Sequence, residues 1–282
     1  MPLIEAWYKL ISMLPFDWAH YVFMKNALLA VLLVTPLFAL LGTMVVSNRM
    51  VFFTDVLGHS ALTGIAIGVL LGFQDPILPM LILAVLLSVG INLLKNLTRS
   101  SMDTILGVLF AFIVALGIVI LSRQGGFVKY TSYLIGDILT VTPKQIAWFF
   151  AIAAVAGLYW FIAGNAMIFT SVSQSLARSR KVNTFWVETG FTVLLALVVI
   201  LSIKLAGILI INSLLVLPAA AARNIARNMS AYTWWAVIIS LFSGVGGLIA
   251  SYYWGTASGA TIVLFAAACY AVSALAGAVR NR

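Results

Sequence analysis

Charge is what this sequence has least of. Only 8% of its 282 residues are charged while 63% are hydrophobic, against roughly 25% charged in soluble domains. A single core cannot hide so much apolar surface from water, so lipid must cover the rest, and a soluble globular protein is excluded. Acids are scarcer than bases: seven Asp and Glu stand against sixteen Lys and Arg, with two His. The one cysteine, Cys269, excludes an intrachain disulfide; in the last apolar run it reads as a small core or lipid-facing residue. No P-loop, HExxH pair or GxSxG elbow is present, so the chain shows no sign of hydrolysing a nucleotide itself. No cleavable leader is evident, because Glu5, Lys9, Pro15 and Asp17 interrupt the first residues.

What is present is apolar sequence almost end to end. Runs near 21–47, 51–73, 77–94, 103–122, 144–164, 185–203, 205–222, 231–253 and 258–279 approach or exceed the roughly 20 residues a transmembrane helix needs. The seventh is short and nearly continuous with the sixth. The expectation is an all-α polytopic membrane protein of eight or nine spans. Leu3, Ile4, Trp7, Leu10, Ile11 and Leu14 fall at helical spacing, opposite Glu5, Lys9 and Ser12. Residues 1–18 therefore read as an amphipathic helix at the membrane surface, and 19–282 as one transmembrane domain.

The net charge of +9 does not point to nucleic acid, because the basic residues are scattered through short loops, where they set topology. With the N-terminus outside, Arg49, Lys95, Arg99, Arg178, Arg180, Lys181, Arg223, Arg227, Arg280 and Arg282 face the cytoplasm. Fewer bases remain outside, diluted by Glu5, Asp17, Asp75 and Asp137. Eight Trp, nine Tyr and seventeen Phe fit interfacial belts and lipid-facing surface.

Two segments do not read as plain spans. Residues 129–143, KYTSYLIGDILTVTP, are too short to cross and suggest an outer half-helix or cap. Residues 218–230, PAAAARNIARNMS, read as a small-residue helix opened by Pro218, with Arg223 and Arg227 one turn apart.

The chemistry concentrates in FFTDVLGHSALTG, residues 52–64, where Asp55 and His59 lie four apart in an apolar run. On a helix such positions are neighbours, roughly 5–6 Å apart at Cβ. Carboxylate with imidazole suits first-row divalent metals, and intramembrane acids face bundle interiors or aqueous paths. The alternative is that Asp55 caps the start of its helix near Arg49 while His59 bonds a neighbouring backbone. Glu188, near the cytoplasmic start of the sixth span, either pairs with Arg180 or Lys181 or faces the same path. Asn212 and Ser213 read as interhelical hydrogen-bond partners, and His20 as an interfacial residue.

FFTDVLGHSALTGIAIGVLLG resembles the second-span signature of the permease subunits of zinc/manganese/iron ABC importers. DTILGVLF at 103–110, SYLIGDILTVTP at 132–143, LAGILIINSLLVLPAAAARNIAR at 205–227 and ASGATIVLFAA at 257–267 resemble further parts of that family in the same order. The resemblance implies an ABC-3, type II importer-like permease fold with no permanently bound cofactor and no enzymatic activity of its own. It further implies a homodimer in the bacterial cytoplasmic (inner) membrane, carrying two ATPase subunits that use ATP on the cytoplasmic face. An extracytoplasmic metal-binding protein would deliver the ion. Asp55 and His59 correspond to the family's intramembrane Asp and His, and Glu188 is a further candidate for the metal path. Pro218, Ala219, Ala222, Arg223 and Arg227 correspond to the coupling helix that docks on the ATPase. Tyr133 and Asp137 are candidates for an outer gate.

One departure bears on the metal. Some zinc-type members carry a His-Ser pair in the fourth span, where this chain reads LFAFIVALG. Zinc keeps a narrow preference over manganese and iron because imidazole suits it. The alternative class is an ion-gradient-driven secondary transporter, whose sites also lie near the midplane.

Overall fold

In a computed structural model of the chain, residues 2–98, 100–123, 138–172, 177, 179–180 and 183–280 are described. Among them the regular structure is entirely helical: α1 (Pro2–Ser12), α2 (Val22–Ser47), α3 (Val51–Leu70), α4 (Ile77–Leu97), α5 (Met102–Arg123), α6 (Pro143–Val172), α7 (Thr184–Ile225), α8 (Met229–Trp254) and α9 (Ser258–Arg280). Short 3-10 turns lie at Asp17–His20 and Ile138–Thr140.

Nine segments among the described residues are long and apolar enough to span a membrane. The count exceeds the number of long helices because α7, at 42 residues, carries two spans. A straight helix of that length would run about 63 Å, twice the roughly 30 Å hydrocarbon core. It breaks at Gly207, whose φ of 77° and ψ of 160° belong to a region essentially confined to glycine.

The chain folds as two compact units. One holds the described residues of Met1–Thr43, Gly136–Val155 and Leu205–Arg282. Within it α8 hydrogen-bonds to α2, Ser240 Oγ donating to the Thr35 carbonyl at 2.9 Å, and packs along α9. The amphipathic α1 is strapped to the start of α2: Trp7 Nε1 donates to the Lys25 carbonyl at 3.0 Å. The buried Lys25 ammonium donates to Ser12 Oγ at 2.7 Å.

The other unit holds the described residues of Met44–Ile135 and Ala156–Lys204. Its centre is α3, packed between α4 and α5. Small residues permit that packing: a Cβ added at Gly64 would lie 2.7 Å from the Met80 Cα on α4. On the α5 side, Thr63 Oγ1 donates to the Ile113 carbonyl at 2.7 Å.

The structure corrects the expectation for the segment that follows the seventh span. Pro218 does not open a separate helix over 218–230; it lies inside α7, which continues to Ile225. A short turn follows, and α8 begins after Asn228, whose side chain accepts a hydrogen bond from the Ala231 N–H at 2.7 Å. An interior proline removes one helical hydrogen bond, a loss that neighbouring groups make good in packed membrane helices. Ala219 and Ala222, both fully buried, hold the helix in its packing through that turn.

Candidate metal path and its cytoplasmic end

Twelve of the twenty residues of α3 are buried. Over its first three turns the positions that stay open are Val51, Phe52, Asp55, His59 and Leu62. From Phe52 onward these fall three or four apart, a narrow stripe along one face. Asp55 and His59, both half-buried, therefore share the one uncovered stripe of an otherwise packed helix. The N-cap is Met50, with no side-chain capping bond. Asp55 lies beyond the first turn, too deep for a capping role. Thr54 and Ser60, both buried, return their hydroxyl protons to carbonyls of their own helix, Val51 and Leu57, which leaves Asp55 and His59 as the polar residues of the open stripe.

A neighbour from α5 completes the surroundings. The Phe110 ring stands perpendicular to the His59 imidazole, with centroids 5.2 Å apart. The same ring lies 5.4 Å from Phe52. Phe110 belongs to the LFAFIVALG stretch, and sequence reasoning, looking there for a nitrogen ligand, missed it as an apolar wall for the imidazole. Among the described residues no group of three or more His, Cys, Asp or Glu side chains could hold a metal. Asp55 and His59 alone are too few for a closed metal site.

Glu188 sits elsewhere, in the first turns of α7. The sequence points to Arg180 or Lys181 as its partner; in the structure its carboxylate accepts from the Lys95 ammonium of α4 at 2.6 Å. Lys181 lies outside the described residues. One turn along, Asn92 Nδ2 donates to Thr192 Oγ1 at 2.6 Å. Sequence reading missed Lys95, yet the signal was present: Ser88, Asn92 and Lys95 form one polar stripe, Glu188 and Thr192 another at matching spacing. Two such stripes in apolar helices satisfy each other best face to face. Ser213 also differs from expectation, its hydroxyl donating to the Leu209 carbonyl of its own helix at 2.6 Å.

The ion pair borders a cavity of 310 Å³, lined also by Ser47, Arg49, Met102 and Thr170. These residues come from the ends of α2, α4 and α6 and the starts of α5 and α7. The charge pattern assigns every one of those ends to the cytoplasmic side. Three connections, assigned separately along the chain, thus meet at one place.

Of the residues matched to the coupling helix, Arg223 and Arg227 are exposed near the turn between α7 and α8, while Pro218, Ala219 and Ala222 are buried. Tyr133 and Asp137, the outer-gate candidates, lie outside the described residues.

The family match runs over residues 20–277. The chain belongs to the ABC 3 transport family. It is 34% identical over 250 residues to the high-affinity zinc uptake system membrane protein ZnuB of Haemophilus influenzae, covering 88% of this chain and 95% of that protein. A second protein of that organism, named "Probable iron transport system membrane protein", is 26% identical, with 95% of this chain and 100% of that protein covered. Among solved structures, PsaBC from Streptococcus pneumoniae in complex with Fab matches with a TM-score of 0.77 at 24% identity. That match covers 90% of this chain and 91% of the other and bears on the fold alone. The ABC 3 permease is a multi-pass membrane subunit of a metal transporter and no enzyme, the ATPase being a separate subunit. The gradient-driven alternative falls away with that assignment.

Proposed function

We propose that this chain is the permease of an ATP-driven importer that carries a divalent transition metal, zinc before manganese or iron, across the bacterial cytoplasmic membrane. The observation that carries the reading is the open stripe of α3, where Asp55 and His59 stand together on a helix whose remaining faces are buried. A half-buried acid and imidazole within a span are the residue types that face a bundle interior or an aqueous path. A homodimer brings a second such stripe to a shared path, and each pair then supplies half of a transient ligand set.

Zinc is favoured by the imidazole and by the name of the 34% identical relative. The relative named for iron makes iron and manganese the natural competitors. An extracytoplasmic binding protein delivers the ion past an outer gate in 129–143 that includes Tyr133 and Asp137. Two ATPase subunits dock at the cytoplasmic turn after α7, where Arg223 and Arg227 offer cations to acidic residues. Ala219 and Ala222 support that turn from within.

The experiment is uptake into proteoliposomes holding the permease and its ATPase, with zinc, manganese and iron competing. ATP-dependent zinc entry that excess manganese or iron reduces only weakly is the expected result. Entry that runs without ATP, or stronger competition by manganese or iron than by zinc, contradicts the reading.

A further inference from the structure

We propose that Lys95 is a tethered counter-cation that keeps Glu188 from trapping the transported metal at the cytoplasmic end of the path. The inference rests on the importer reading, because it takes the 310 Å³ cavity as the side where the ion leaves.

Without Lys95 this cavity has the makings of a metal trap. A carboxylate is a hard ligand for divalent cations, and Glu188 lines a space also bordered by Ser47, Asn48, Met167 and Thr170. At about 30 Å³ per water, such a space admits a hydrated ion. Tight binding on the exit side slows release, since conduction needs sites that let go as readily as they take up.

The protein answers with charge. The Lys95 ammonium sits 2.6 Å from the Glu188 carboxylate, and Arg49 lines the same cavity. The lining residues thus carry one more cation than anion. A positive charge about 4 Å from a divalent ion weakens its binding about thirtyfold, or about 2 kcal/mol, even at the dielectric constant of water.

Packing alone does not account for the pair. Lys95 and Glu188 keep 32% and 18% of their side-chain surface exposed, and ion pairs with this much water access contribute little stability. The buried Asn92–Thr192 hydrogen bond already ties α4 to α7 one turn away. The ammonium is therefore redundant as a fastener, and its charge has a separate use.

The test uses zinc alone on the purified full-length chain in detergent, in an Asp55→Ala, His59→Ala background. Its outcome then does not depend on whether that first pair holds metal. Adding Lys95→Gln, which can still donate a hydrogen bond to Glu188, is expected to tighten zinc binding about thirtyfold in equilibrium dialysis. Lys95→Met is expected to do the same. Adding Glu188→Gln is expected to return affinity to the parent value. Unchanged affinity in Lys95→Gln, or a gain that survives Glu188→Gln, overturns the proposal. Should Lys95→Met fail to fold, Lys95→Gln decides. In the otherwise unaltered importer, Lys95→Gln is expected to slow zinc uptake, and Glu188→Gln to restore it. A gain in binding without that slowing strikes the placement of the cavity on the exit path and leaves the counter-cation intact.

Discussion

His59 of α3 and Phe110 of α5 meet ring to ring at 89°, their centroids 5.2 Å apart. The contact gives the imidazole an apolar wall on the α5 side, so the neighbour that could have completed a metal site supplies no ligand. On the proposed reading, that poverty of ligands suits transport, because an ion held by two groups leaves more easily than one held by three.

Replacing Phe110 by His puts a third ligand within reach of the Asp55–His59 pair. Phe110→His is expected to raise zinc retention in the purified permease by about tenfold or more and to slow uptake. Metal content after dialysis, read beside transport rate, checks both.

The close approach of α3 to α4 makes Gly64 sensitive to size. A Cβ there lies 2.7 Å from the Met80 Cα, which is backbone and cannot swing aside. Gly64→Ala is expected to cost about 1–3 kcal/mol through overpacking, seen as a lower unfolding temperature in detergent.

Gly207 and Pro218 separate two ideas of how α7 is built. At φ 77° and ψ 160°, Gly207→Ala is strained by about 1–3 kcal/mol and is expected to reduce folded yield. Pro218→Ala, inside a continuous helix, is expected to leave the melting temperature unchanged or raise it. A clear loss of stability in Pro218→Ala would mean that the proline starts a helix after all.

The exposed arginines near the α7–α8 turn are expected to recruit the ATPase by charge. Arg223→Glu with Arg227→Glu is expected to weaken co-purification of the ATPase at low salt while the permease keeps its melting temperature. Wild-type association should itself weaken as salt rises, since exposed charges are screened within about 10 Å at 0.1 M.

Much of this was legible in the sequence. Scarce charge and nine apolar runs led to an expectation of eight or nine spans, and nine candidate spans stand among the described residues; Asp55 and His59 stood out because acids and imidazoles are rare in such helices. What escaped were partners distant in sequence. Lys95 and Glu188 are 93 residues apart, and no local pattern names the partner of an acid; only the facing polar stripes of α4 and α7 do so. Phe110 escaped because an aromatic in a span looks like any lipid-facing ring. Pro218 misled for a physical reason: proline suits a helix start because its missing N–H has no partner there anyway, but in membrane helices neighbouring groups make good the bond lost at an interior proline. In α7 fully buried neighbours such as Ala219 and Ala222 carry the helix past it.

The central claim is that Asp55 and His59 together form the ion's waypoint. It is tested most directly by ATP-dependent zinc uptake in proteoliposomes containing Asp55→Ala or His59→Ala permease, with ATPase association and melting temperature measured alongside. Each variant is expected to lose uptake by about tenfold or more while still folding and binding its ATPase. Uptake at the wild-type rate in either variant would contradict the account.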